Sequence, residues 1–200
     1  MAEGMLLVVS GPSGAGKSTV LNAVMQQRQD MFFSVSATTR KPREGEQEGV
    51  HYYFREPDAF QDMIQTGKLL EWAEFAGNCY GTPIGPVLNS MKQGHIVVLD
   101  VETEGAMAVM EKYPDAVSVF LTPSSAQEVE RRLRKRGTET EETIRRRMKI
   151  NQKGHEYINR YTYVVVNDTL EDAIHQMQSI LLAEQSKTRR QPGLFAEYRK

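Results

Sequence analysis

The chain has 200 residues, 40% of them hydrophobic and 26% charged, a balance that excludes general disorder and suits one α/β domain with insertions. Its 25 Lys and Arg residues nearly balance 26 Asp and Glu residues, so the net charge of −1 excludes a strong overall attraction to nucleic acid or an anionic membrane. A single cysteine, Cys79, and the lack of an apolar run long enough for a signal peptide or a membrane span predict a cytoplasmic protein.

The first predicted element is a strand at residues 5–9, because a continuous apolar run is typical of a strand buried on both faces of a parallel sheet. A glycine-rich turn follows, and a segment with helical spacing then runs from Lys17 to about Gln27. Strand, turn and helix in this order begin a βαβ unit. Further apolar runs, separated by helical segments, predict an open and mostly parallel core sheet; they lie at 96–99, 117–121 and 163–166.

Two stretches interrupt this core pattern. Residues 35–88 contain short strand signals, one helix opened by Pro57 and Asp58, and many glycines and charges. They predict a small α+β insertion between the first helix and the second core strand. Residues 124–150 are helical and charged, and Gly137 divides them into two helices that suit a mobile lid. The remaining ranges form the predicted core: 1–34, 89–123 and 151–186.

Signals for helix starts accompany the lid and the last helix. The lid helices carry capping patterns at 124–127 and 138–141, each with a Ser or Thr three residues before a Gln or Glu. A last helix is predicted from near Thr169 to about Ser186. The basic tail that follows, 187–200, is predicted to be a solvated end, with a partner-binding arm as the alternative.

The most specific motif is a phosphate-binding loop that matches G-x-x-x-x-G-K-[ST] in full and lies between a predicted strand and a predicted helix. Its glycines let backbone N–H groups turn inward around phosphate oxygens, and the helix adds its positive end. Lys17 would reach the β- and γ-phosphates, and the Ser18 hydroxyl would bind Mg²⁺ that arrives with ATP. The predicted ATP-binding residues here are Gly11, Pro12, Ser13, Gly14, Ala15, Gly16, Lys17, Ser18 and Thr19.

This loop indicates a triphosphate site without naming the reaction. GTPase switches read guanine through an Asn-Lys-x-Asp run, which this sequence lacks, and motor or pump ATPases are usually longer chains. A small protein with an insertion and an arginine-rich lid favours a kinase of small molecules. A glycine turn without a ligand is the alternative, and the flanking strand and helix disfavour it.

Four further motifs resemble those of guanylate kinases, and their order and spacing follow that family from the phosphate-binding loop to Asp168. The resemblance implies a P-loop kinase fold with a mostly parallel core sheet flanked by helices, a small α+β nucleotide-binding insertion and a helical lid. It also implies phosphoryl transfer from Mg-ATP to GMP. The motifs lie at 33–46, 51–54, 70–74 and 80–82.

The resemblance assigns guanine recognition to Glu71, whose carboxylate can accept both N1–H and the exocyclic amine of guanine. Hydroxyls of Ser36 and Thr82 would complete recognition at the O6 and N7 side. Adenine would instead place an acceptor against Glu71 and leave a buried charge poorly satisfied. Arginine and tyrosine side chains supply donors for the GMP phosphate. The implied GMP site is Ser36, Arg40, Arg43, Tyr52, Glu71, Tyr80, Thr82 and Asp100.

No general base is expected, because the acceptor phosphate has a second pKa of about 6 and is already largely ionised at neutral pH. Catalysis then requires alignment and charge neutralisation. The resemblance matches Arg136 and Arg147 to the family's lid arginines and Asn167 to a residue near the donor adenine. The other lid arginines are predicted to be solvated and paired with glutamates three or four residues away. The implied catalytic residues are Lys17, Arg43, Arg136 and Arg147.

Departures from the family pattern leave alternatives open. Glu102 and Glu104 stand where the family usually has aspartate and glutamine ahead of Gly105, so both are omitted from the predicted site. One alternative function is a non-catalytic guanylate kinase-like module that binds phosphopeptides or scaffolding partners. Another is a kinase of a different small phosphorylated acceptor. The expected partners are ATP and GMP, without nucleic acid or membrane, and the oligomeric state stays open.

Overall fold

A computed structural model describes residues 4–75, 77–135, 137, 140–191 and 193. The strands are β1 (Met5–Ser10), β2 (Met31–Phe33), β3 (Ala37–Thr38), β4 (Tyr53–Phe54), β5 (Leu69–Phe75), β6 (Asn78–Pro83), β7 (Ile96–Asp100), β8 (Val117–Thr122) and β9 (Tyr163–Val166). The helices are α1 (Lys17–Gln26), α2 (Pro57–Gln65), α3 (Ile84–Lys92), α4 (Thr103–Lys112), α5 (Ala126–Lys135), α6 (Glu141–His155) and α7 (Leu170–Gln185). No helix among these residues is both long and apolar enough to cross a bilayer.

The core is a five-stranded sheet in the order β2-β7-β1-β8-β9, and all its strand pairs are parallel. This confirms the predicted mostly parallel core and its four apolar strands. Because Val9 pairs with both Asp100 and Val119, the carboxyl ends of β1, β7 and β8 meet at one edge. In open parallel sheets, ligands bind outside that edge.

Apolar layers cover both faces of this sheet. Side chains of α1 and α7, such as Leu21 and Met177, pack on one face, while Val87 of α3 and Val109 of α4 pack on the other. The burial of β1 on both faces explains its uninterrupted apolar sequence. The edge strand β2 was not predicted, because it has three residues and none of them is fully buried.

The insertion is built on a second sheet in the order β4-β3-β6-β5, which confirms a small α+β unit. It follows β2, so it lies between the second and third core strands in chain order rather than between α1 and the second. The C-terminal boundary of the insertion, predicted at residue 88, falls within α3 (Ile84–Lys92). This helix packs on β7 of the core.

The lid helices pack against each other through Val129, Leu133 and Ile144. Their caps differ from the predicted ones by one or two residues. Ser125 Oγ, rather than Ser124, accepts a hydrogen bond from Glu128 N at 3.2 Å. The backbone N–H of Ser124 is bonded instead to Asp168 Oδ1 at 2.9 Å. The second lid helix is capped by Thr140, which accepts from Thr143 N at 3.2 Å, while Thr138 lies outside the described residues.

The last helix begins as predicted, with Thr169 Oγ1 accepting from Asp172 N at 3.3 Å. The prediction of a solvated tail is wrong for Arg190, whereas residues 187–189 are exposed as predicted. A 3₁₀ turn at Thr188–Arg190 packs against the protein, and Arg190 is buried. Its guanidinium donates to the Asp115 carbonyl at 2.9 Å.

The buried partner of this turn is Glu184 on α7, whose side chain is 1% exposed. Glu184 Oε1 accepts from Tyr163 OH and from Lys187 Nζ, both at 2.6 Å, and Arg190 Nη2 lies 3.7 Å from Oε2. Burial raises the pKa of this carboxyl, but the hydrogen bonds outweigh burial and the net pKa lies below its usual value. The basic tail therefore neutralises a buried charge.

The variant Lys187→Ala/Arg190→Ala should lose about 3 kcal/mol of unfolding free energy, because it leaves the buried Glu184 charge without its cations. This value is the lower end of the range for breaking a buried ion pair, since Lys187 is partly exposed. Adding Glu184→Gln removes the unpaired charge and should recover most of the loss. Urea denaturation of the three proteins measures both effects. A loss that Glu184→Gln leaves unchanged would show that the turn stabilises the fold by packing alone.

Candidate active site

The phosphate-binding loop lies between β1 and α1, at the carboxyl edge of the core sheet. Two of its glycines have backbone geometry that a side chain would disrupt. A Cβ at Gly11, where φ is +148°, would lie 2.0 Å from the Leu121 carbonyl oxygen. A Cβ at Gly16, where φ is +87°, would lie 2.5 Å from Asn167 Nδ2. Glycine is therefore required at both positions by conformation and by close packing.

Lys17, Ser18 and Asp100 lie together beside this loop. Lys17 Nζ donates to the Gly11 carbonyl at 3.0 Å and lies 3.8 Å from Asp100 Oδ1. Burial raises the pKa of Asp100, and the Lys17 ammonium and the Ser18 hydroxyl oppose that shift. A hydroxyl and a carboxylate next to a phosphate cradle are oxygen ligands of the kind that suits Mg²⁺.

Two side chains of α6 contact the loop: Arg147 of the lid, and Asn151 just after it. Arg147 Nη1 donates to Ser13 Oγ. Asn151 Oδ1 accepts from Ser13 N at 3.0 Å, and Asn151 Nδ2 donates to Ser13 O at 3.3 Å. The structure thus places Arg147 at the phosphate-binding loop, whereas Arg136 lies outside the described residues. Nothing in the sequence pattern distinguished Asn151.

A second group holds the loop from the side of β9. Asn167 is buried and its Nδ2 donates to Ala15 O at 2.7 Å. Arg132 Nη2 donates to Asn167 O at 2.9 Å, and Arg132 Nε donates to Glu128 Oε1 at 2.7 Å. Arg132 was predicted to be a solvated lid charge, and its pairing with Glu128 is the expected one, but it also lines a cleft beside the loop. That cleft is formed by Gly14, Gly16, Thr19, Arg132, Asn167, Asp168 and Leu170.

A cleft of about 290 Å³ between the core and the insertion collects most of the predicted acceptor residues. It contains Lys17 and Asp100 on the core side and Glu71 and Tyr80 on the insertion side, so it opens directly onto the phosphate-binding loop. Its lining is Lys17, Ser36, Tyr52, Glu71, Ala73, Tyr80, Gly81, Asp100, Val101, Glu102 and Gly105. An adjoining cleft shares Ser36, Tyr52 and Asp100 and adds Ser18.

Glu71 lines this cleft and is buried, with 6% of its surface exposed. Thr82 Oγ1 donates to Glu71 Oε1 at 2.6 Å, so the two predicted base-reading residues are in direct contact. Burial raises the pKa of Glu71, and the hydrogen bonds from Thr82 oppose that shift. The carboxylate is thus held in place by one neutral donor and retains acceptor capacity for others.

The strand geometry explains how a carboxylate comes to be buried there. Leu69 pairs with Pro83 and Trp72 pairs with Gly81, so two residues of β5 face the single residue Thr82 of β6. Such a β-bulge redirects side chains and is common beside active sites. It allows Leu70 and Glu71 to be buried in succession, although neighbouring residues of a regular strand face opposite sides.

Of the predicted phosphate-binding side chains, those of Arg40, Tyr52 and Tyr80 lie together and both tyrosines line the cleft, whereas Arg43 is exposed. The Arg40 guanidinium lies 5.3 Å from the Tyr52 ring centroid, and the Tyr52 and Tyr80 rings are 6.1 Å apart. Arg40 Nη2 donates to Glu46 Oε1 at 2.8 Å, and Glu46 Oε2 accepts from the backbone of Arg43 at 2.8 Å. These hydrogen bonds lower the pKa of Glu46 to about 2. Glu46, which was not predicted to lie in the site, therefore orders the turn that carries both arginines.

Glu102 also lines the cleft, although its departure from the family pattern had excluded it from the predicted site. It is the N-cap residue of α4, next to Asp100 and Val101. Glu104 is exposed on the first turn of the same helix and does not line the cleft. Of the two residues that differ from the family pattern, only Glu102 therefore lines the cleft on the acceptor side.

Comparison with known proteins agrees with this geometry. The family model described as guanylate kinase matches residues 3–184. A guanylate kinase of Desulfitobacterium hafniense is 47% identical over 193 residues, which are 96% of this chain and 96% of the relative. One from Caldanaerobacter subterraneus is 41% identical over 197 residues, 98% of this chain and 96% of the relative.

A solved structure gives the same result for the fold. The crystal structure of guanylate kinase from Anaplasma phagocytophilum has a TM-score of 0.79 and 34% identity, and the match covers 97% of this chain and 93% of that one. Both the sequence and the structural matches thus extend over nearly the whole length. The chain belongs to the guanylate kinase family.

Proposed function

We propose that the protein transfers the γ-phosphoryl group of ATP to the phosphate of GMP, giving ADP and GDP. The observation that carries the proposal is the position of the buried Glu71 carboxylate in the same cleft as Lys17 of the phosphate-binding loop. One end of the cleft offers an acceptor for the donors of guanine, and the other a cation for phosphate. The family membership supports the same reaction.

On the acceptor side, Glu71 accepts hydrogen bonds from guanine N1–H and the exocyclic amine. Thr82 and Ser36 supply hydroxyls at the rest of the base edge. Adenine presents an acceptor at N1 and would leave the Glu71 charge without that hydrogen bond, in a site too buried for water to compensate fully. Guanine selectivity thus follows from the burial of one carboxylate.

The GMP phosphate is held by Arg40, Tyr52 and Tyr80, and by Arg43 from the turn that Glu46 orders. Arg40 is oriented by Glu46 and by the Tyr52 ring before any ligand binds. Asp100 lines the same cleft as Tyr52 and Tyr80 and lies 3.8 Å from Lys17 Nζ. No side chain has to remove a proton, because the acceptor phosphate is largely ionised at neutral pH.

The donor ATP is held by the loop from Gly11 to Thr19, with Lys17 at the β- and γ-phosphates and Asn167 and Arg132 beside the loop. Ser18 and Asp100 would hold Mg²⁺, directly or through water. When bound, this ion neutralises phosphate charge and helps to fix the donor geometry. The residues of the chain then align the two phosphates and exclude competing water.

The lid, residues 124–150, supplies further positive charge when it closes. Arg147 already reaches Ser13 in the loop, and Arg136 is proposed to join it at the transferring phosphoryl group. Arginines in this role contribute on the order of 10³–10⁵ in rate. The unit 35–88 is proposed to bind GMP, and the core to bind ATP.

The two alternative functions predict different outcomes in one assay. ADP release is measured with Mg-ATP and each of GMP, AMP, CMP and UMP, for the wild type, Glu71→Ala and the control Glu74→Ala. Glu74 lies three residues along β5 and is exposed, so its removal should not affect activity. We expect turnover that depends on GMP, is normal in Glu74→Ala, and falls by at least about 10²-fold in Glu71→Ala.

Binding of GMP without turnover would favour the non-catalytic module. Turnover with another acceptor at the expense of GMP would favour the second alternative and contradict the role given to Glu71. A loss of activity in Glu74→Ala equal to that in Glu71→Ala would show that the assay reports damage to β5 rather than lost recognition.

Burial of the Glu71 charge also predicts a pH-dependent cost to stability. The folded-state pKa of Glu71 is raised, so the unfolded chain loses the Glu71 proton at a lower pH than the folded protein does. As pH rises from the normal pKa of glutamate through the folded-state pKa, the contribution of Glu71 to stability therefore falls. Glu71→Gln keeps an acceptor for Thr82 and removes the charge. Thermal unfolding without nucleotide should therefore show the variant gaining stability over the wild type from acidic to neutral pH, while its activity with GMP falls. A stability difference that is independent of pH would contradict this account.

A further inference from the structure

The first turn of α4 lies against the carboxylate of Glu71. A Cβ built on Gly105 would be 2.7 Å from Glu71 Oε2 and 3.4 Å from its Cδ. The nearest other atom, Val101 Cβ, would be 3.6 Å away, which is an ordinary contact distance. The space for a side chain at this position is therefore limited by the Glu71 carboxylate and not by the backbone.

Glycine at position 105 is unfavourable for helix formation. Gly105 is the third residue of α4, and glycine is the poorest helix former after proline. Its backbone does not have a positive φ, so conformation does not require glycine there. Gly85, the second residue of α3, offers a comparison: it is exposed, and a Cβ there would meet nothing within 4 Å.

The Glu71 carboxylate is thus held between two elements. On one side, Thr82 donates to Oε1 at 2.6 Å. On the other, Oε2 lies against the first turn of α4, where the side chain of the N-cap residue Glu102 makes no capping hydrogen bond. Backbone N–H groups of a first turn carry partial positive charge, which favours a nearby carboxylate.

We propose that Gly105 is a positioning residue for guanine specificity: the missing side chain lets the Glu71 carboxylate lie against α4 in the orientation that receives both guanine donors. The inference rests on the proposed function and deepens it. Gly105 itself does not touch the base. It acts through Glu71, because a bidentate contact with two fixed donors requires both carboxylate oxygens in one defined plane.

A methyl group at position 105 should change specificity much more than stability. The carboxylate is the far end of a flexible side chain, so it can rotate away from a Cβ without moving the backbone. Rotation breaks the alignment of the two oxygens, and a misplacement of about 1 Å can cost about 10²-fold in rate. The fold should tolerate the change, because alanine favours a helix.

The test compares Gly105→Ala with the matched control Gly85→Ala. Steady-state kinetics with GMP and IMP, the KM for ATP and the melting temperature are measured for each. IMP keeps N1–H and O6 but lacks the exocyclic amine, so the GMP/IMP ratio reports the second donor. We expect Gly105→Ala to lose about 10²-fold in kcat/KM for GMP, with a smaller loss for IMP. Its melting temperature and KM for ATP should match those of Gly85→Ala.

A double-mutant cycle separates positioning from a structural role. Glu71→Asp withdraws the carboxylate by one methylene and relieves contact with the new Cβ. Combined with Gly105→Ala, it should therefore lose less than the sum of the two single effects on GMP. Equal losses for GMP and IMP, additive effects, or unfolding of Gly105→Ala but not of Gly85→Ala would each overturn the inference. Wild-type protein without GMP-dependent turnover would contradict the proposed function itself.

Discussion

The structure depends on burying one carboxylate, that of Glu71, at the junction between two sheets. Glu71 lies on β5 of the insertion, and its oxygens lie between Thr82 of β6 and the first turn of α4, a helix that packs on β1 of the core. Burial raises its pKa, which means that keeping it ionised costs free energy. The β-bulge, the Thr82 hydroxyl and the glycine on α4 all serve to hold that charge in one place, which is the arrangement that selective recognition of a base with two donors requires.

On the donor side, backbone N–H groups of the phosphate-binding loop are proposed to bind the ATP phosphates. Side chains from other elements hold that loop in its conformation. The phosphate-binding loop adopts its shape only because Gly11 and Gly16 leave room for Leu121 and Asn167. Asn167, which directly follows β9, and Asn151 of α6 both form hydrogen bonds with the loop. Arg147 of the lid also contacts Ser13 of the loop, so lid movement and phosphate binding act on the same backbone segment.

The sequence alone predicted the parts of the fold whose pattern is local. The strands β1, β7, β8 and β9 were predicted because burial on both faces produces uninterrupted apolar runs. The strand β2 was missed, since three partly buried residues carry no such pattern. The cap of the first lid helix was predicted one residue early, because Ser124 and Ser125 are equally good cap residues and the bond from Ser124 N to Asp168 has no local signal.

The candidate site also contains residues that local motifs predict and residues that only tertiary contacts define. Motif positions identified the phosphate-binding loop, Glu71, Thr82 and the arginine–tyrosine cluster, and the structure brings these together. Arg132 could not be separated from its neighbours, because α5 carries three arginines and only tertiary contacts with Ala15 and Asn167 distinguish Arg132. The burial of Glu184 was equally invisible, since nothing local marks a glutamate on a helix as buried.

The central claim, that Glu71 is a buried carboxylate which receives guanine donors, is tested most directly by its pKa. Carboxyl ¹³C NMR titration of Glu71 can be done in the free protein and with saturating GMP. The account predicts a pKa above the usual range in the free protein and a lower pKa with GMP, because two donors stabilise the ionised form. A pKa that is normal in the free protein, or that GMP leaves unchanged or raises, would contradict it.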